Sequence, residues 1–217
     1  MSKKVGVLLS GCGVFDGTEI HESVLTLLAL DREGAEIICM APNMEHDIMN
    51  HMTKEPAGEK RNVLVESARI ARGDIKDLKD VSESEIDALI IPGGFGAAKN
   101  LSSFAVEGSN ASVHPEVDRI INEMVSANKP VGAICIAPAT LTRALSKKSP
   151  EVTIGTDAGT ASKIEDMGGK HFACAVDGIH IDNKNKLVTT PAYMLGPGIK
   201  DVAKGIEKLV KEVLSMA

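Results

Sequence analysis

A chain of 217 residues is long enough to bury one substantial core and too short for two ordinary independent domains, which points to a single domain spanning 1–217. Hydrophobic residues at 43% and charged residues at 25% exclude wholesale disorder, while an aromatic content of 2%, with no Trp and one Tyr, leaves nothing to build base-stacking or sugar-binding platforms. Thirty acidic against 24 basic residues give a formal charge of −6 with no basic patch, which excludes a phosphate-backbone surface and hence a nucleic-acid partner.

The four cysteines, Cys12, Cys39, Cys135 and Cys174, lie far apart and form no C-x-x-C pair. Met1-Ser2-Lys3-Lys4 leads straight into a short apolar run without the pattern of a secretory leader, and no stretch reaches membrane-spanning length. These features predict free thiols, a cytoplasmic location and no membrane association.

Short apolar runs alternate with helical patterns or turns, as in a mainly parallel sheet with crossover helices. Lys4–Ser10 reads as a first strand, Thr18–Arg32 as a helix stopped by Gly34, and Ala35–Ala41 as a second strand. The polar stretch 43–60 reads as a loop or small peripheral element. Residues 62–72 then read as helix, 74–78 as an edge strand, and Ala88–Ile91 as a buried strand ending at Pro92-Gly93-Gly94-Phe95-Gly96. A loop runs through Ser109, and His114-Pro115 opens a helix to about Asn128. Pro130–Ile134 forms a strand, and Ala137–Leu145 resumes a helix. Val152–Gly155 reads as a further strand, 178–182 and 186–190 as a hairpin, and Ile199–Met216 as a final amphipathic helix.

Val131-Gly132-Ala133-Ile134-Cys135-Ile136-Ala137-Pro138 carries a strand directly into a helix, with Ala two positions before and two after the cysteine. This is the pattern of a nucleophile elbow, where only small neighbours fit the strained turn. The helix amino end supplies partial positive charge and free N–H groups, which lower a thiol's pKa and bind an oxyanion. The competing reading is a packed structural cysteine. Glu22 follows the first strand on the same rim of the sheet, where an acid can shuttle a proton to the thiol; its bland reading is a first-turn helix acid, which Glu19 resembles more closely. The Gly93–Gly96 turn has two readings, a backbone N–H opposite Cys135 as a second oxyanion donor or a plain turn. Cys12 sits in a glycine turn that lacks the third glycine and the ribose-binding acid of a dinucleotide site, so no such cofactor is expected; it either shares the rim or packs as a small thiol. The six histidines give no metal set and read as solvated side chains.

The stretches Leu9-Ser10-Gly11-Cys12-Gly13-Val14, Asp16–Glu22, Pro92–Leu101, Cys135–Pro138 and Val188–Met194 together resemble the ElbB family, a branch of the class I glutamine-amidotransferase-like superfamily that also holds the PfpI proteases and a parkinsonism-associated deglycase. The resemblance implies a flavodoxin-like three-layer α/β sandwich, a homodimer, a catalytic pair of Cys135 and Glu22, and an oxyanion hole from the backbone of Gly94 and Ile136. It further implies cofactor-free glyoxalase activity on glyoxal, with glycated proteins as related substrates. Ile136 stands where the proteases carry His, and neither His171 nor His180 begins the H-x-E pair of an amidotransferase triad. The deglycase's own histidine would fall near Thr156 and Asp157, which marks those two residues as rim candidates and leaves the thiol without a basic partner. Three functional readings therefore stand beside each other, a glyoxalase, a cysteine-based redox-sensing or binding protein, and a structural amidotransferase-like subunit.

Overall fold

The structure, a computed structural model, describes residues 2–217. Its centre is a seven-stranded sheet. The strands are β1 (Lys4–Leu8), β2 (Glu36–Ala41), β5 (Lys76–Asp77), β6 (Ala88–Ile91), β7 (Val131–Ile134), β10 (His180–Asp182) and β11 (Leu187–Thr190), in the order β10-β11-β7-β6-β1-β2-β5. Every pairing is parallel except β10 against β11, which the Asn183-Lys184-Asn185 turn joins as the expected hairpin. Strands such as Val5–Leu8 and Ala88–Ile91 are apolar on both sides because helices cover both faces, the arrangement that parallel sheets require.

On one face, α1 (Ile20–Arg32), α2 (Val63–Ile70) and α8 (Ile199–Met216) pack Ala29, Leu30, Val63 and the Val202, Ile206, Leu209, Val213 stripe onto Val5, Val7, Ile90 and Val188. On the other, α3 (Phe95–Lys99), α5 (Pro115–Ser126) and α6 (Ala137–Ala144) bring Ala97, Val117, Ile120, Ile121 and Leu141 onto Leu8, Leu89, Ile91 and Ala133. The result is the expected three-layer α/β sandwich with a mostly parallel central sheet.

Strand order reverses between β1 and β6, so the loops leaving β1 and β6 diverge and open a crevice at the carboxyl edge, where open α/β sheets bind ligands. The stretch 43–60, expected as a loop or small peripheral element, is largely such an element, a two-stranded antiparallel hairpin of β3 (Glu45–Met49) and β4 (Pro56–Asn62). Two other parts of the chain differ from expectation. The loop through Ser109 contains α3 and α4 (Phe104–Glu107). Between the strand expected at 152–155, which forms only as β8 (Glu151–Val152), and the last hairpin lie α7 (Ala158–Asp166) and β9 (Lys170–His171), the latter paired with β8.

Leu209 of α8 is fully buried against the central sheet. Leu209→Ala should lower unfolding free energy by about 2–5 kcal/mol, against less than about 0.5 kcal/mol for Lys211→Ala on the exposed side of the same helix, measured by urea denaturation.

Candidate active site

The four loops leaving β1, β6, β7 and β11 converge on Cys135. This residue directly follows β7 with φ of 62°, in the left-handed region that a side chain occupies only when its surroundings enforce it, at a cost of order 1–3 kcal/mol. Its own N–H donates to Thr190 O (2.9 Å), which ties the elbow to the end of β11, and Ala137 and Pro138 begin α6 directly behind it. The elbow read from the sequence is present.

Glu22 lies in the first turn of α1, fully buried, and its side chain reaches across to the Cys135 thiol. Gly93 N–H donates to Glu22 Oε2 (2.9 Å), and Tyr193 N–H donates to Oε1 (3.3 Å). Glu19 caps the helix, its Oε2 accepting from Glu22 N–H (2.7 Å). Burial first, and the Glu19 charge second, raise the Glu22 pKa from its ordinary 4.5 to about 8, against the pull of its hydrogen bonds to Tyr193, Cys135 and Gly93.

The backbone N–H groups of Gly94 and Ile136, the two donors expected for an oxyanion, lie near enough to Cys135 to favour its ionised form. The lowered thiol pKa expected from the helix end is not found. Burial and then the Glu22 carboxylate hold the Cys135 thiol well above its ordinary range, and the two N–H groups only partly offset this. Near neutral pH both members of the pair therefore keep their protons, and the pair gives up one of them through a midpoint set jointly by the two groups.

Glycines make the approach of these loops possible. A Cβ on Gly93 would strike Cys135 Cβ and come within 2.7 Å of Glu22 Oε2, while one on Gly94, at φ of 93°, would strike the backbone of Glu19. Cys135 opens onto a cavity of about 350 Å³ with Val14, Phe95, Phe104 and Met194 among its apolar walls and Glu19 and Lys163 of α7 among its polar ones, while Glu22 lies buried behind the sulfur.

The other sequence candidates lie elsewhere. Cys12 is not in the wall of this cavity; it sits near Glu66, Arg69 and Asp16, with its thiol pushed up chiefly by burial. Thr156 and Asp157 are exposed, and Asp157 caps α7 by accepting from Thr160 N–H (2.7 Å). The rim residues from that segment are instead Thr160 and Lys163. His46 is buried, its Nδ1 on Asp16 O (2.8 Å), and is not solvated as expected. Among the described residues, no three His, Cys, Asp or Glu side chains gather as a metal site. Gly93 and Tyr193 went unassigned because both act through backbone N–H groups, for which sequence carries no side-chain signal; only the double glycine hinted at the first.

A model of the DJ-1/PfpI family matches residues 11–190. The chain belongs to the DJ-1/PfpI family. Among its relatives, the human protein named glutamine amidotransferase-like class 1 domain-containing protein 3, mitochondrial, is 46% identical over 98% of this chain and 83% of its own length. A crystal structure of an isoprenoid biosynthesis protein with amidotransferase-like domain from Ehrlichia chaffeensis matches this DJ-1/PfpI chain with a TM-score of 0.93 and 38% identity over 99% of both chains. Glyoxalase III from Candida albicans matches with a TM-score of 0.66 at 15% identity over 99% of this chain and 97% of its own, a likeness of fold alone. The expected cytoplasmic location is overturned by the curated relatives, since the human protein and ES1 proteins of rat and zebrafish are all named mitochondrial.

The raised Glu22 pKa gives this DJ-1/PfpI protein a definite pH signature. The unfolded state loses the Glu22 proton near 4.5 while the folded state holds it to about 8, so unfolding releases a proton throughout that window and stability falls as pH rises across it. Guanidinium denaturation of wild type and Glu22→Gln at several pH values should show the variant gaining on wild type from about pH 4.5 to 8 and no further above. A pH-independent difference would contradict this.

Proposed function

We propose that this protein is a cofactor-independent glyoxalase of the ElbB branch, converting glyoxal to glycolate through a covalent adduct on Cys135. The observation that carries this reading is the pairing of a strained, cavity-facing cysteine with a buried, proton-holding carboxyl group, under two backbone N–H groups. These groups support an internal redox isomerisation, in which a carboxyl can move a proton between two carbons.

Loss of one proton from the Cys135–Glu22 pair leaves the Glu22 carboxylate against the Cys135 thiol, and the carboxylate takes the thiol proton as the sulfur attacks. The sulfur attacks one aldehyde carbon, the S–C bond forms, and the carbonyl oxygen gathers negative charge against the Gly94 and Ile136 N–H groups before taking the Glu22 proton. The Glu22 carboxylate then removes the hydrogen from that same carbon, giving an enediolate, and returns it to the neighbouring carbon, while the hydroxyl proton of the adduct passes to the neighbouring oxygen. One carbon has been oxidised to a thioester and the other reduced to an alcohol, with no external electron acceptor. Water hydrolyses the thioester, releasing glycolate and the free thiol. Phe95, Phe104 and Met194 limit water around the adduct and favour the isomerisation over premature reversal.

A peroxide-sensing role is less well supported. Cys135 is only 7% exposed and its thiol is pushed upward, whereas sensor cysteines are accessible thiolates.

Glyoxal consumption with glycolate quantified by chromatography tests the reading. Cys135→Ala should lose on the order of a thousandfold or more, and Glu22→Gln about a hundredfold or more. Wild-type kcat/KM should climb as pH rises toward and past about 8, because the pair must first shed a proton. Equal turnover by Cys135→Ala, or a flat profile between pH 6 and about 9, would contradict it.

A further inference from the structure

The cavity is far larger than glyoxal. Even at the roughly 30 Å³ that a water molecule occupies in the liquid, four heavy atoms fill about a third of its 350 Å³. The remaining space is walled mainly by Val14, Phe95, Ala98, Phe104 and Met194, so it suits an apolar body.

Charge is unevenly distributed around that space. Glu19 stands beside Glu22, whose pKa it helps to raise, so the thiol end of the cavity is acidic. Lys163 belongs to α7, with Nζ 5.9 Å from the centre of the Phe104 ring and its chain lying along Gly108, where an added Cβ would meet Lys163 Cδ and Cε at 3.6 Å. Lys163 forms no ion pair within 4 Å among the described residues, although α7 and its cap contain Asp157, Glu165 and Asp166. Lys163 is exposed at the cavity wall, in no ion pair within 4 Å although close enough to Asp157 to lower its pKa, and so is placed to meet an anion carried by the ligand.

We propose that the substrates of this site are 2-oxoaldehydes with an apolar body ending in an anionic group, and that Lys163 determines that preference by pairing with the anion. This rests on the glyoxalase reading and names the substrate class for it. The aldehyde is delivered to Cys135, the body lies against Phe104 and Met194, and the anion sits at Lys163. Glyoxal itself is then a minimal substrate that engages only the reacting end.

Wild type, Lys163→Met and Lys163→Arg are to be compared on glyoxal, phenylglyoxal and 4-carboxyphenylglyoxal, with the corresponding 2-hydroxy acids quantified. In wild type kcat/KM should rise from glyoxal to phenylglyoxal and rise again, roughly threefold to tenfold, when the carboxylate is added. That carboxylate preference should vanish in Lys163→Met, return in Lys163→Arg, and shrink with added salt in wild type. Turnover of glyoxal without any preference for the larger aldehydes, or a carboxylate preference that survives in Lys163→Met, would overturn the inference while leaving the glyoxalase reading intact. Failure of wild type to consume any of the three would overturn both.

Discussion

A carboxyl group with no exposure to water dominates this structure. Removing an ionised carboxylate from water costs several kcal/mol even after the protein relaxes, so Glu22 is tolerated either as a neutral acid or with its charge matched by donors. The fold supplies donors from Gly93 and Tyr193 and sets the Cys135 thiol against the same group. They do not outweigh burial and the neighbouring Glu19, and the acid keeps its proton to about pH 8. The sulfur and the carboxyl are thereby bound into one titrating unit, in which a thiolate is favoured only while its partner remains protonated. An acid that can give a proton and then take one back from carbon is what an isomerisation requires, and no histidine is needed for it.

The rest of the architecture serves to hold that pair together. The reversal of strand order between β1 and β6 brings the α1 amino end, the Gly93-Gly94 turn and the elbow to one edge of the sheet. At that edge backbone must pass so close to backbone that glycine is the residue that fits; a Cβ on Gly17 would strike Cys12 N, and one on Gly96 would lie 2.6 Å from Ser10 O. The left-handed conformation of Cys135 is maintained by its N–H bond to Thr190, and Ala192, also at positive φ (43°), turns the chain after β11 so that Tyr193 N–H meets Glu22. Local strain at Cys135 and Ala192 is supported by a core of fully buried aliphatic side chains on both faces of the sheet.

Much of this was legible in the residues. The parallel strands showed as unbroken aliphatic runs, α8 as a periodic stripe, and the elbow as a cysteine flanked by small residues. The hairpin of β3 and β4 was not, because Pro56-Ala57-Gly58-Glu59-Lys60-Arg61-Asn62 has neither alternation nor β-branched side chains and is exposed almost throughout. Helix α7 was hidden for a related reason: Ala158-Gly159-Thr160-Ala161-Ser162 is a poor helix former, and Ile164 is its one buried residue. With α7 hidden, Lys163 carries no signal either, and the rim expected at Thr156 and Asp157 is turned toward solvent by the cap of that helix. The direction of the thiol shift is not legible in sequence, where helix-end charge shows but the burial that overrides it depends on all four loops closing over one atom.

Infrared spectroscopy of the carboxyl stretch across a pH titration addresses the shared proton most directly. A protonated, water-excluded carboxyl band should be present in wild type at pH 7, fade as pH passes about 8, and be absent from Glu22→Gln. A wild-type spectrum at pH 7 without that band would mean that Glu22 is an ordinary carboxylate, and a proton-sharing pair with Cys135 would be contradicted.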